Sequence, residues 1–228
     1  MTPTSAVPAA AGKLGVLGGT FDPIHLGHIA AADAAQRALG LHNILLVPSR
    51  IPPHRADPVS AGADHRYAMA QLAANKPGWS ASRIELDREG PSYTYDTLVE
   101  LGRGRALSER SDSPGEPFRE SKGTQLFFIT GADAFAEIAT WSRYPAVLDL
   151  ANFVVVSRPG ITLDSLRDRV PSAFEPRASA KTRVILVEAH TPDVSSTEIR
   201  RRVRAGERLS GLVPDAVDRY IRTHHLYR

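Results

Sequence analysis

Short, nearly unbroken apolar runs alternate along the chain with longer stretches of helical composition. The first run, Leu14 to Leu17, ends in Gly18-Gly19 and leads into an alanine-rich stretch from Ile24 to Leu39 that Gly40 closes. That order predicts strand, turn and helix. Asn43 to Val47 predicts a second strand, followed by a loop rich in breakers (Pro48, Pro52, Pro53, Pro58) and a helix over Asp64 to Asn75 that Pro77-Gly78 ends. Ser82 to Leu86 is expected as a strand and Thr94 to Leu101 as a helix. Gln125 to Thr130 then forms an apolar strand running into a helix over Ala132 to Ala139, and Asn152 to Ser157 and Arg183 to Val187 supply two more strands.

Runs such as NILLV, QLFFIT and NFVVV lack the polar alternation of a half-exposed sheet, so they predict strands buried on both faces. The expected class is α/β: a Rossmann-like doubly wound parallel sheet with a small C-terminal helical segment. In such sheets ligands bind outside the carboxyl ends of the strands, which directs attention to the residues just after each apolar run. Residues 1–12 are expected to be a disordered lead and 13–228 a single domain. The polar stretch 103–123, rich in Ser, Gly, Pro and charge, is expected to be a mobile insertion.

Composition narrows the chemistry. With no cysteine among 228 residues, disulfides, iron–sulfur clusters and thiol nucleophiles are excluded. The first dozen residues lack the basic start and apolar run of a secretory signal, and no stretch is long and apolar enough for a membrane span. A soluble, cytoplasmic protein with no membrane partner is expected. A net charge of +3 gives no global support to a nucleic-acid partner. Arg201, Arg202, Arg204 and Arg208 read as the solvated face of a late helix.

The first strand is followed by Gly18-Gly19-Thr20-Phe21-Asp22-Pro23-Ile24-His25-Leu26-Gly27-His28. Two glycines permit a tight turn, Asp22 is a candidate N-cap, and Pro23 suits the first helical position. The turn would bring a helix N-terminus, with its free N–H groups, to the functional edge of the sheet. His25 and His28, three apart, would add two imidazole donors on one face of the first turn, and Gly27 would leave room for a ligand. Taken alone, an H-x-x-H pair is also compatible with surface histidines or half of a metal site. Neither a G-x-x-x-x-G-K-[ST] loop nor a G-x-G-x-x-G fingerprint occurs at this turn. Late in the chain, Ser195-Ser196-Thr197-Glu198-Ile199-Arg200 offers hydroxyls at a helix start, with Arg200 one turn on to pair with phosphate. In isolation it equally describes a plain Ser/Thr cap.

The turn GGTFDPIHLGH resembles the H-x-G-H signature of the nucleotidyltransferase superfamily, and SSTEIR resembles that superfamily's second signature, the S-S-T-x-x-R element that holds the triphosphate. Within it, the chain from Leu14 to near its C-terminus is similar to the bacterial nicotinate-nucleotide adenylyltransferase family. Pro52-Pro53-His54-Arg55 is similar to the family's P-P-H-K loop, with Arg for the usual Lys. The resemblance implies that His54 and Arg55 grip the mononucleotide phosphate. Ser92-Tyr93-Thr94-Tyr95-Asp96-Thr97 is similar to T-Y-x-x-D-T and implies that Thr94 and Tyr95 meet the nicotinate. Gly131-Ala132-Asp133 with Trp141 is similar to G-x-D…W and implies that Gly131 and Asp133 contact ATP while Trp141 stacks on the pyridine ring. By residue type alone, these patches are also a Pro-rich surface loop, a helix-start carboxylate and a core tryptophan.

The resemblance implies adenylyl transfer from ATP to nicotinic acid mononucleotide in NAD biosynthesis, with Mg2+ arriving on ATP and no metal site of the protein's own. His25, His28 and Arg200 are the expected catalytic groups; Gly18, Gly19, Thr20, Phe21, Ser195, Ser196 and Thr197 complete the expected ATP site. A homo-oligomer is expected on general grounds. The competing readings are a pantetheine-phosphate adenylyltransferase, which shares the H-x-G-H turn, a nucleotide-binding regulator without turnover, and a nucleic-acid-binding module.

Overall fold

The structure, a computed structural model, describes residues 12–53, 59–103, 124–157, 161–175 and 182–228. Its strands are β1 (Lys13–Gly19), β2 (Asn43–Pro48), β3 (Trp79–Ala81), β4 (Gln125–Gly131), β5 (Asn152–Ser157) and β6 (Val184–Glu188). They form one sheet in the order β3-β2-β1-β4-β5-β6, and every neighbouring pair is parallel. The helices are α1 (Leu26–Leu39), α2 (Ala63–Ala73), α3 (Thr94–Gly102), α4 (Ala132–Ala136), α5 (Leu163–Arg169), α6 (Ser196–Arg204) and α7 (Asp215–Thr223). The expected α/β class and doubly wound sheet are therefore present, with α6 and α7 as the C-terminal helical segment.

Side chains alternate across each strand, so each strand feeds two cores. Leu17, Ile44, Leu46, Phe127, Ile129, Val154 and Val156 pack with Ala32, Ala35, Met69, Ala70, Ile199, Val217 and Ile221 of α1, α2, α6 and α7. Leu14, Val16, Leu45, Val47, Phe128, Phe153 and Val155 pack with Leu98, Leu101, Phe135 and Leu166 of α3, α4 and α5. Burial on both faces explains why these strands read as continuous apolar runs. Gly40 ends α1 in the left-handed conformation at φ 60°, where an L side chain would be strained.

Three elements depart from the pattern. β3 lies at Trp79–Ala81, ahead of the expected Ser82 to Leu86, because Ser82 and Glu85 are buried in a turn instead. The Glu85 carboxylate accepts from the Thr97 hydroxyl at 2.7 Å. The helix expected over Ala132 to Ala139 ends at Ala136 and passes into a 3-10 turn at Ile138–Thr140. α1 starts at Leu26 with His25 as its N-cap, so Asp22 is not the cap and Pro23 is not the first helical residue. Among the described residues no helix is long and apolar enough to cross a membrane. The expectations for 104–123 and for residues 1–11 lie outside the described residues.

Strand order reverses between β1 and β4, and the crevice of a doubly wound sheet opens at their carboxyl ends. Gly18-Gly19 closes β1 and Gly131 closes β4, which places both segments at that point.

Candidate active site

The turn after β1 is shaped by packing more than by glycine flexibility. The left-handed residue is Phe21 (φ 51°), not Gly18 or Gly19. Its buried ring lies against Gly19, where an added Cβ would approach the ring to 2.8 Å, and its edge meets the His28 ring at 5.1 Å between centroids. Beyond it, the His25 and His28 rings stack at 3.6 Å and 27°. Gly27 permits this, since a Cβ there would come within 3.0 Å of His25 Nδ1. Room at Gly27 is thus taken by the His25 ring.

The His25 backbone N–H donates to His28 Nδ1 at 3.2 Å. A neutral imidazole accepting at Nδ1 carries its proton on Nε2, so His28 presents Nε2–H as a donor. Burial lowers the His25 pKa from 6.5 to about 4, and burial together with the neighbouring His25 holds half-buried His28 well below the usual range. Both rings are therefore neutral donors at pH 7 in the ligand-free protein. His25 Nδ1 is buried without a hydrogen-bond partner among the described residues, an open polar position at this turn.

The second motif docks directly on the first. Ser195 caps α6, accepting from the Glu198 N–H at 3.2 Å. The Ser196 hydroxyl donates to the Pro23 carbonyl at 2.9 Å. Arg200, 8% exposed, donates through Nη1 to the Asp22 carbonyl at 2.8 Å and through Nη2 to the Thr197 hydroxyl at 3.2 Å. Arg201 and Arg202 instead pair with Glu198 and Glu207 on the exposed side, as expected of a solvated face.

On the other side of the crevice, Asp133 is exposed in the first turn of α4, next to Gly131. Thr94 is the first residue of α3 and Tyr95 the second, both half-buried. Trp141, also half-buried, stands edge-on to Phe128 at 5.8 Å, so part of its ring is committed to the core. His54 and Arg55 lie outside the described residues. The chain leading to them is fastened, however: Arg50 N–H donates to the Ser92 hydroxyl at 2.8 Å and Ser92 N–H to the Ile51 carbonyl at 2.9 Å. This joins the start of that loop to the segment before Thr94.

Comparison with known proteins identifies the family. The family model described as cytidylyltransferase-like matches residues 16–202. Proteins described as "Probable nicotinate-nucleotide adenylyltransferase" from Moorella thermoacetica and from Thermus thermophilus are 40% and 42% identical to this chain. The matches cover 95% of this chain in both cases, and 92% and 100% of the relatives. The chain belongs to the nicotinate-nucleotide adenylyltransferase family. The nicotinic acid mononucleotide adenylyltransferase of Plasmodium falciparum, solved in complex with NaAD, shares the fold with a TM-score of 0.68 at 16% identity, over 95% of this chain and 97% of its own.

Two residues of this nicotinate-nucleotide adenylyltransferase family member organise the site although no motif reading singles them out for it. Asp22, with no exposed surface, accepts from the N–H groups of Ser60 and Ala61 at 2.8 and 2.9 Å. Arg66, 2% exposed on α2, donates to the carbonyls of Ala61, Thr20 and Ser49. Together they tie the loop after β1 to both ends of the loop after β2. The signal for Arg66 is its place on the apolar face of α2, in helical register with Met69, Ala70 and Ala73. An arginine there is buried only if its donors are met.

Among the described residues no three His, Asp or Glu side chains are grouped to hold a metal ion.

Proposed function

We propose that this protein transfers the adenylyl group of Mg2+-ATP to nicotinic acid mononucleotide, forming deamido-NAD and releasing pyrophosphate. The observation that carries this reading is the direct fastening of the two phosphate motifs, Ser196 to Pro23 and Arg200 to Asp22, at the reversal point of the sheet. The family membership supplies the acceptor.

In the reaction a phosphate oxygen of the mononucleotide attacks the α-phosphorus of ATP, a new P–O bond forms, and the bond to the β-phosphate oxygen breaks with its electrons leaving on pyrophosphate. The attacking phosphate is already ionised near neutral pH, so alignment and charge stabilisation are the protein's contribution. Mg2+ on the triphosphate screens its charge. His25 and His28 donate to the α- and β-phosphate oxygens from a turn held by Phe21, with Gly18, Gly19 and Thr20 bordering the nucleotide. Arriving phosphate anions raise the pKa of both imidazoles and strengthen these bonds. Ser195, Ser196 and Thr197 bring the start of α6 to the triphosphate tail, and Arg200 serves that tail with the donors left after its bonds to Asp22 and Thr197. Gly131 and Asp133 face the ATP ribose. Thr94, Tyr95 and Trp141 receive the nicotinate, and His54 and Arg55 its phosphate. The protein works in the cytoplasm without membrane or nucleic-acid partners, as a homo-oligomer.

The test is pyrophosphate release from ATP and Mg2+ with nicotinic acid mononucleotide, nicotinamide mononucleotide and phosphopantetheine in parallel. Release with the first exceeding the second supports the reading. Release only with phosphopantetheine overturns the assignment of Thr94 and Trp141, and silence with all three overturns the enzyme.

A further inference from the structure

We infer that Arg143 is a specificity-determining residue: its guanidinium, held over Tyr95, pairs with the carboxylate on the pyridine ring and so favours the acid mononucleotide over the amide. The inference rests on the proposed function for the location of the ring and adds to it the group that reads its charge.

The first observation is backbone strain at a position that prefers glycine. Trp141 to Tyr144 forms a tight turn, closed by the Tyr144 N–H donating to the Trp141 carbonyl at 3.1 Å. Its third residue, Arg143, has φ 59°. A residue with positive φ at this position of a turn is normally Gly or Asn, because an L side chain there is disfavoured. Arginine at such a position is the kind of outlier that points to function. The second observation is where the strained residue sends its charge. The Arg143 guanidinium carbon lies 5.0 Å from the centre of the Tyr95 ring, a cation–π arrangement.

These contacts join the two segments that the proposed function assigns to the pyridine ring. Tyr95 follows Thr94 in the first turn of α3, and Trp141 is two residues before Arg143. Among the described residues no carboxylate forms an ion pair with Arg143, which is exposed. The exposed guanidinium carries its N–H donors in a planar fork, the geometry that receives a carboxylate through two parallel bonds. A neutral carboxamide offers one acceptor oxygen and no charge to the same edge, and turns donors toward donors when its nitrogen faces the arginine.

The two mononucleotides differ only in this ring substituent, so the ratio of their kcat/KM values isolates the role of Arg143. Arg143→Gln removes the charge, and Arg143→Gly removes it while relieving the strained φ, so loss of function in the glycine variant cannot be assigned to a damaged turn. Both variants are expected to melt at or above the temperature of the parent or within a few degrees of it. Their acid-to-amide ratio is expected to fall about tenfold, through a raised KM for the acid with the KM for ATP unchanged. Arg143→Lys is expected to restore part of the ratio. A parental ratio in the folded glycine variant overturns the inference. An equal loss with both mononucleotides also overturns it, since that would mark Arg143 as a phosphate or turn residue. A parent enzyme that uses both mononucleotides equally overturns it while leaving adenylyl transfer intact, and a parent inactive with both removes the proposed function itself.

Discussion

The guanidinium of Arg200 donates to the main-chain carbonyl of Asp22 at 2.8 Å, across 178 positions of sequence. A carbonyl in the β1–α1 turn thereby fixes a cation from the last third of the chain. Asp22 contributes twice, since its buried carboxylate lies 3.8 Å from the same guanidinium nitrogen while receiving two N–H groups from Ser60 and Ala61. The two motifs are therefore fastened directly to each other.

Replacement of Arg200 tests that fastening. Arg200→Gln removes the guanidinium that donates to the Asp22 carbonyl and stands 3.8 Å from its carboxylate, and is expected to destabilise the protein by about 1–3 kcal/mol. Turnover is expected to fall further than stability, by about 100-fold or more, because the donors at both motifs lose their mutual alignment. Steady-state kinetics beside a denaturant titration would check this. Turnover and stability both close to the parent would show that the Asp22 bond does not align the motifs.

His28 separates chemistry from folding more sharply. Its ring is half-buried and accepts one backbone hydrogen bond, from the His25 N–H. His28→Ala is expected to keep the fold, as judged by circular dichroism and a cooperative melt, while lowering turnover about 100- to 1,000-fold. Near-normal turnover in the folded variant would remove His28 from the catalytic groups.

How far the fold is legible follows from which interactions decide each element. β1, β2, β4 and β5 are continuous apolar runs because both of their faces are buried, and the runs announce themselves. The start of α1 misleads for the opposite reason. Asp22-Pro23 has the local look of a helix cap, but the Asp22 carboxylate is claimed by N–H groups nearly forty positions later, a contact no local pattern carries. β3 spans three residues and pairs only with β2, too short for a periodic signal. The histidines and the SSTEIR helix are readable because their chemistry is local to each motif. Arg66 and Arg143 are not, since one is defined by carbonyls of two separate loops and the other by a turn conformation that its residue type disfavours.

Gly19 offers a test with its own control. A Cβ at Gly19 would come within 2.8 Å of the buried Phe21 ring, whereas one at Gly18 would meet Phe128 at an ordinary 3.5 Å. Gly19→Ala is expected to cost about 1–3 kcal/mol of stability, because a buried ring must shift to admit the methyl group. Since the Phe21 edge also contacts His28, activity should fall with it. Gly18→Ala is expected to change stability by less than about 1 kcal/mol. Melting temperatures of the pair decide the matter: equal tolerance at the two positions would mean that Phe21 does not brace the histidine turn.

The depressed histidine pKa values make a prediction about acid. In the unfolded chain His25 titrates near 6.5, while in the folded, ligand-free protein burial lowers it to about 4, so between these values the unfolded state binds more protons. Stability must therefore fall as pH drops from about 6.5 toward 4, with no contribution from this group above that range. For His25 the full effect is about 3 kcal/mol, and His28, shifted in the same direction, adds to it. Urea titrations at pH 7.5, 6.0 and 5.0 should show a falling midpoint, and the double variant His25→Asn with His28→Asn should flatten that slope. ATP or pyrophosphate should act in the same direction as the double variant, because phosphate anions favour the protonated imidazoles and so oppose the acid loss. A slope that survives the double substitution would place the acid sensitivity elsewhere, and the two imidazoles would then not be the strongly depressed pair that burial makes them.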